Sequence, residues 1–75
     1  MMPEPIRILE RRFGLVPSKF HRRGEVVRVD GVERCWTEMR QQSGNVFYHF
    51  HVRCGQNRYR LSEDARGGKW TLQAD

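Results

Sequence analysis

Val46-Phe47-Tyr48-His49-Phe50-His51-Val52-Arg53-Cys54, followed by Gly55-Gln56-Asn57-Arg58-Tyr59-Arg60-Leu61, is the stretch that decides the fold class of this chain. Val46, Tyr48, Phe50 and Val52 fall on one face of an extended strand, and Phe47, His49, His51 and Arg53 on the other, with period two. Cys54 has the parity of the apolar face. Gly55-Gln56-Asn57 reads as a tight turn. With Gly55-Gln56 as a two-residue loop, Val52 pairs with Tyr59 and Phe50 with Leu61, so the apolar faces coincide. Arg53 then lies across from Arg58, and His51 from Arg60. A loop at Gln56-Asn57 sets Arg53 across from Arg60 instead.

Downstream, Ser62 to Lys69 reads as a polar loop with Gly67-Gly68 near its end, and Trp70 and Leu72 supply the inward face of a short last strand. Upstream, Phe20-His21-Arg22 and Glu25 to Val29 flank Arg23-Gly24, a hairpin turn. Asp30-Gly31 admits two readings. A type I′ turn would set Arg28 opposite Glu33, a favourable pair, but would put Glu25 and Arg34 on the face of Trp36. A glycine bulge in one long bent strand from Glu25 to Met39 avoids that conflict. At the N-terminus Ile6, Leu9 and Phe13 have helical spacing, yet Ile6 and Ile8 alternate with Arg7, and an edge strand is the favoured reading. Pro17 makes the approach to Phe20 extended.

The expected fold is all-β: an antiparallel meander of six or seven short strands, curled into a small, partly open barrel that limits its exposed edges. Residues 1–75 are expected to form one domain, with 1–16 as N-terminal segment or edge strand and 17–73 as core. A chain of 75 residues buries only about 60% of its unfolded surface. Trp36, Trp70, Phe20, Phe50, Tyr48 and Tyr59 are the expected core anchors.

Such a core leaves little room for a deep substrate cavity, which argues against catalysis. Glu10, Glu25, Asp30, Glu33, Glu38, Glu63 and Asp64 are scattered, no nucleophile–base pair is readable, and the glycines mark turns rather than a phosphate loop. We expect no enzyme activity, no cofactor and no small-molecule substrate. His21, Cys35, His49, His51 and Cys54 are zinc ligands by type, but there is no Cys-x-x-Cys pair, and Cys54 has the opposite parity to His49 and His51. No metal is expected.

The formal charge is +5. All of it arises between Pro5 and Arg28, where seven basic residues meet two acidic ones. Such a flank suits phosphate backbones or acidic proteins. Two cysteines are too few for a disulfide scaffold. Met1 to Glu10 lacks the apolar core of a secretory signal, and no apolar run approaches the ~20 residues of a membrane helix. A cytoplasmic chain with reduced thiols and no membrane association is the expectation.

The polar side of the 46–61 hairpin is the candidate site. Two arginines face each other in either register, a mildly unfavourable arrangement that a bound anion would relieve. Phe47, His49 and His51 add rings on which bases could stack. The expected nucleic-acid contacts are Arg53, Arg58, Arg60, His49, His51 and Phe47, extended by Arg22, Arg23 and Arg11.

The order Phe20-x-Arg22-x-Gly24, then Val29, Val32 and Trp36, then His51-Val52-Arg53, Tyr59-x-Leu61 and Gly68-x-Trp70-x-Leu72 resembles a family of small uncharacterised bacterial β domains. Related segments occur alone and at the C-terminal end of Y-family polymerase-like proteins of mutagenic repair. The resemblance covers roughly Pro17 to Leu72. His21 and Val27 stand where the pattern has aromatic residues, and residues 1–16 and the Gln41–Gly44 loop show no match. It implies a DNA-repair setting. Taken together, the expectation is a non-catalytic nucleic-acid-binding module. The alternative is a protein-interaction module that adds an edge strand or docks on an acidic, polymerase-type partner.

Overall fold

Alternating apolar residues set the strands, and glycines at positive φ set the turns between them. The computed structural model describes residues 3–74. Met1, Met2 and Asp75, which belong to the 1–75 and 1–16 assignments, lie outside the described residues. The strands are β1 (Glu4–Arg12), β2 (Val16–Arg22), β3 (Glu25–Arg28), β4 (Gly31–Met39), β5 (Val46–Cys54), β6 (Asn57–Asp64) and β7 (Trp70–Ala74). They form one sheet in the order β3-β2-β1-β7-β6-β5-β4, with every neighbouring pair antiparallel. The protein is all-β, a curled and open half-barrel, and no helix occurs among the described residues.

The β5–β6 register is the expected one: Val52 opposite Tyr59, Phe50 opposite Leu61, His51 opposite Arg60 and Arg53 opposite Arg58. Gly55 opens the loop at φ 62°, a conformation that glycine adopts without steric cost. Arg23-Gly24 also turns as read. Both residues have positive φ, 49° and 79°, and Arg22 pairs with Glu25, which is the twist a two-residue hairpin loop requires.

The edges of the sheet are β3 and β4, which are consecutive in sequence. Between them Val29 donates its N–H to the Ser18 carbonyl at 2.9 Å and Asp30 donates to the Arg53 carbonyl at 2.7 Å. Two residues thus step from the side of β2 to the side of β5, and the sheet has to curl for them to do so. Its concave side holds Phe20, Val29, Phe50, Val52, Cys54, Leu61, Trp70 and Leu72, with Ile6, Ile8, Val27 and Tyr59 packed around them. Phe20, Val52 and Leu61 have no exposed surface. Phe50 and Trp70 stack at 5.8 Å, and the Arg11 guanidinium lies over the indole at 5.3 Å.

Several expectations are corrected here. Residues 4–12 are a strand but not an edge: β1 bends, pairing through Glu4–Ile6 with β7 and through Arg7–Arg12 with β2. Irregularities between Ile8 and Arg11 let it serve both neighbours. Asp30-Gly31 is not a hairpin turn, since β3 and β4 do not pair, and Arg28 stands opposite Lys19 rather than Glu33. Nor is it a glycine bulge in one continuous strand: β3 and β4 are separate, and the register shift falls between Val32 and Arg34. Ser62, Glu63 and Asp64 continue β6 instead of opening the loop. No helix in the described residues is long and apolar enough to cross a membrane.

The thiols of Cys35 and Cys54 are both free, the first exposed and the second buried. Burial, with a smaller push from Asp30, raises the Cys54 thiol to about 11, so little thiolate forms at neutral pH. A thiol reagent at pH 8 should therefore label Cys35 rapidly and Cys54 only on unfolding; equal labelling rates by mass spectrometry would contradict this packing. Trp70→Ala should cost about 3–5 kcal/mol in urea denaturation, as truncating a core aromatic does, enough to unfold much of a marginal domain. A midpoint near that of the parent would show that Trp70 is not a core anchor.

Candidate nucleic-acid interface

A one-residue irregularity builds the site. Val32 of β4 stands opposite Val52, but the next paired residue is Arg34, opposite His51. Glu33 is the extra residue, and an extra residue exchanges the two faces of everything that follows. Trp36 therefore lies on the outer, convex face, directly across from His49, and Glu38 lies across from Phe47. The assignment of Trp36 to the core is overturned. Cys35 and Thr37 take the inward parity in its place.

On the outer face the rings form a row. Trp36 and His49 stack at 5.0 Å with 29° between planes, and His49 and Phe47 stack at 6.3 Å with 15°. His51 meets Trp36 edge-on at 4.8 Å. A guanidinium caps each end, Arg34 over Trp36 at 4.8 Å and Arg40 over Phe47 at 4.2 Å. Electron-rich ring faces attract such cations. The order across β4 and β5 is thus Arg34, Trp36, His49, Phe47, Arg40.

His49 fixes the middle of this row. It is 8% exposed, its Nδ1 lies 2.7 Å from Ser62 Oγ and its Nε2 lies 2.8 Å from Glu38 Oε1. An ionised carboxylate only accepts, so Nε2 carries the proton toward Glu38, and in the neutral ring Nδ1 accepts from the Ser62 hydroxyl. The Glu38 carboxyl is held below its ordinary value, chiefly by this bond, with help from Arg40. Ser62, His49 and Glu38 have the order of a nucleophilic relay. Ser62 sits in the interior strand β6, opposite His49 on one side and Thr71 on the other. The trio orients the imidazole between its two flanking rings. His49, expected as a direct contact, is buried between Trp36 and Phe47.

Arg53 and Arg58 do stand opposite one another, but the anion that reconciles them is internal. Glu33, on the outer face by its alternation with Val32, binds Arg58 Nε at 2.9 Å and approaches Arg53 Nη1 at 3.9 Å. Its carboxyl is held below the usual range, first by the Arg58 bond. Arg60, across from His51, donates to Gln73 Oε1, and its Nε is buried with no partner.

Arg22 and Arg23 are drawn away from this face. Both bind Glu4, with contacts of 2.8 Å and 3.2 Å, and Arg22 also donates to the Tyr59 hydroxyl, whose ring it covers at 5.0 Å. Arg11 pairs with Glu63 at 3.5 Å. The structure thus brings Phe47, His49, His51, Arg53, Arg58 and Arg60 onto one surface and leaves Arg22, Arg23 and Arg11 elsewhere. Sequence reasoning missed Trp36, Arg34 and Arg40. Only the discomfort of placing Arg34 on the core face with Trp36 signalled the exchange. Among the described residues no three His, Cys, Asp or Glu side chains gather as a metal site.

Glu4, Glu33 and Glu38 all lie below the ordinary carboxyl value of 4.5, each chiefly through a side-chain hydrogen bond, to Arg22, Arg58 and His49 in turn. A depressed folded value means that ionisation favours the fold: this stability is present above 4.5 and is lost as pH falls through the depressed values. Chemical-denaturation midpoints should accordingly decline below pH ~4.5, and Glu33→Gln should make that decline shallower. An acid limb unchanged in Glu33→Gln would show that the clasp on Arg58 does not matter to stability. No protein family, curated protein or solved structure matches the chain, so the chemistry of this face rests on its own residues.

Proposed function

We propose that this chain is a non-catalytic binding module that takes single-stranded or unstacked nucleic acid on the outer face of β4, β5 and β6. The observation that carries the reading is the row of rings capped by arginines. Bases have π-faces of their own, and stacking on protein aromatics holds single strands with little regard to sequence. Arg34 and Arg40 give the surface two states. Each guanidinium covers a ring when the face is empty. When a base takes its place on Trp36 or Phe47, the guanidinium is freed to meet the adjoining phosphate. Arg60 and His51 extend the surface along β5 and β6. Arg53 and Arg58 have a smaller part, since the Glu33 carboxylate between them repels a phosphate. The resemblance to repair-associated β domains supports a DNA-repair setting and says nothing of base preference.

The test is fluorescence anisotropy with labelled single-stranded oligonucleotides. Removing one stacking platform costs ~1–3 kcal/mol, so Trp36→Ala should weaken binding roughly 5- to 150-fold while the fold is kept. Replacing Arg34 and Arg40 together with Gln should flatten the dependence of log K on log salt by ~0.7 for each lost phosphate contact. Arg53→Gln with Arg58→Gln should lower the melting midpoint more clearly than the affinity. Unchanged affinity in a folded Trp36→Ala variant would sink the reading. No oligonucleotide binding by the parent, with retention of an acidic protein in a pull-down, would favour a protein-interaction module instead.

A further inference from the structure

The sheet has two free edges, and they differ. β3 has four residues, short in the way protected edges are. β4 has nine, most of them exposed, and is paired on one side only, to β5. It carries neither proline nor lysine to discourage a further strand.

The phase of its free hydrogen bonds can be read. Arg40 donates its N–H to the Asn45 carbonyl at 2.8 Å, so its backbone faces the β5 side. Backbone groups alternate along a strand, and the pairing from Arg34 to Met39 is regular. Arg34, Trp36 and Glu38 therefore direct N–H and C=O toward β5, and Cys35, Thr37 and Met39 direct theirs to the open edge.

We propose that two copies of this chain pair antiparallel through the open edge of β4, in a register centred on Trp36. In an antiparallel pair, residues whose backbones face the partner must stand opposite one another. Centring on Trp36 does this, placing Cys35 of each copy opposite Thr37 of the other. On the outer face it sets Arg34 of each copy opposite Glu38 of the other, two complementary pairs related by the two-fold axis, with the two Trp36 rings side by side. The neighbouring registers lose this. A centre on Thr37 sets Arg34 against Arg40 twice, like charge against like. A centre on Cys35 leaves Glu38 opposite Val32 and runs the pairing into the irregularity at Glu33. The sequence Arg34-Cys35-Trp36-Thr37-Glu38 is thus self-complementary in charge and in hydrogen-bond phase, and a second copy is the occupant it fits. The dimer joins the two outer faces across the axis. Pairing needs no nucleic acid, so it stands or falls apart from the proposed function.

Sedimentation velocity over a range of protein concentrations tests this without any oligonucleotide. The parent should sediment as a dimer that dissociates on dilution. Thr37→Pro removes an N–H that points to the open edge, so β4–β5 pairing survives, and the variant should be monomeric with an unchanged far-ultraviolet spectrum. Arg34→Glu, which leaves the backbone intact, sets like charges opposite and should weaken the dimer several-fold; it reads the register even if the proline variant fails to fold. Thr37→Cys should form a covalent dimer under mild oxidation, because hydrogen-bonded pairs bring Cα atoms to ~5.5 Å, within disulfide range. A parent that is monomeric at every concentration would overturn the proposal. So would a dimer indifferent to both Thr37→Pro and Arg34→Glu, or ready Cys35–Cys35 crosslinking in the parent.

Discussion

A single sheet with one apolar face has only itself to bury that face against, and the whole of this structure depends on that constraint. Phe20 from β2, Val52 from β5 and Leu61 from β6 lose all exposure in one cluster, although no two of β2, β5 and β6 are neighbours except the last pair. The curl that brings them together makes the convex face a separate surface with its own chemistry. No second layer covers that face among the described residues, and its rings contact one another and guanidinium caps. The structural core and the candidate site share β5 and β6, each strand giving one face to each.

How much of this was legible in the sequence depends on local signals. The β5–β6 hairpin could be read residue by residue, because parity and turn chemistry both speak there and agree. The turn at Arg23-Gly24 was legible for the same reason. The course of β1 was not, because its two halves answer to different neighbours, and the alternation of Ile6 and Ile8 shows a strand without showing who sits beside it. Trp36 was misplaced because the irregularity falls at Glu33, which has no sequence mark. One residue there exchanges the faces of all that follows in β4. An aromatic at such a place is assigned to the core by habit of composition and to the surface by geometry.

The charge balance shows a similar limit. The count along the chain puts the whole net charge of +5 between Pro5 and Arg28, yet much of that flank meets a carboxylate in the fold. Lys19 finds Glu10, Arg22 and Arg23 find Glu4, and Arg11 finds Glu63. Glu4 and Glu63 lie far from these partners in sequence, or outside the counted stretch. The guanidinium groups that cap the half-buried rings of the outer face, Arg34 and Arg40, come from the half of the sequence that looked neutral.

The pairing of β1 with β7 joins residues 4–6 to residues 70–72. Every other strand pair links neighbours in the sequence. The chain is thus two local meanders, β1-β2-β3 and β7-β6-β5-β4, connected by the Val29–Asp30 step and sealed by three residues of non-local ladder. Local hairpins form fast and distant pairing is slow, since a long loop must close before any contact rewards it. During synthesis the first meander emerges with its apolar face bare, and its partner β7 is made only after β4, β5 and β6. The seal is where the two halves commit to one sheet, and the interval before it closes is when each half has an unpaired edge to offer to another chain.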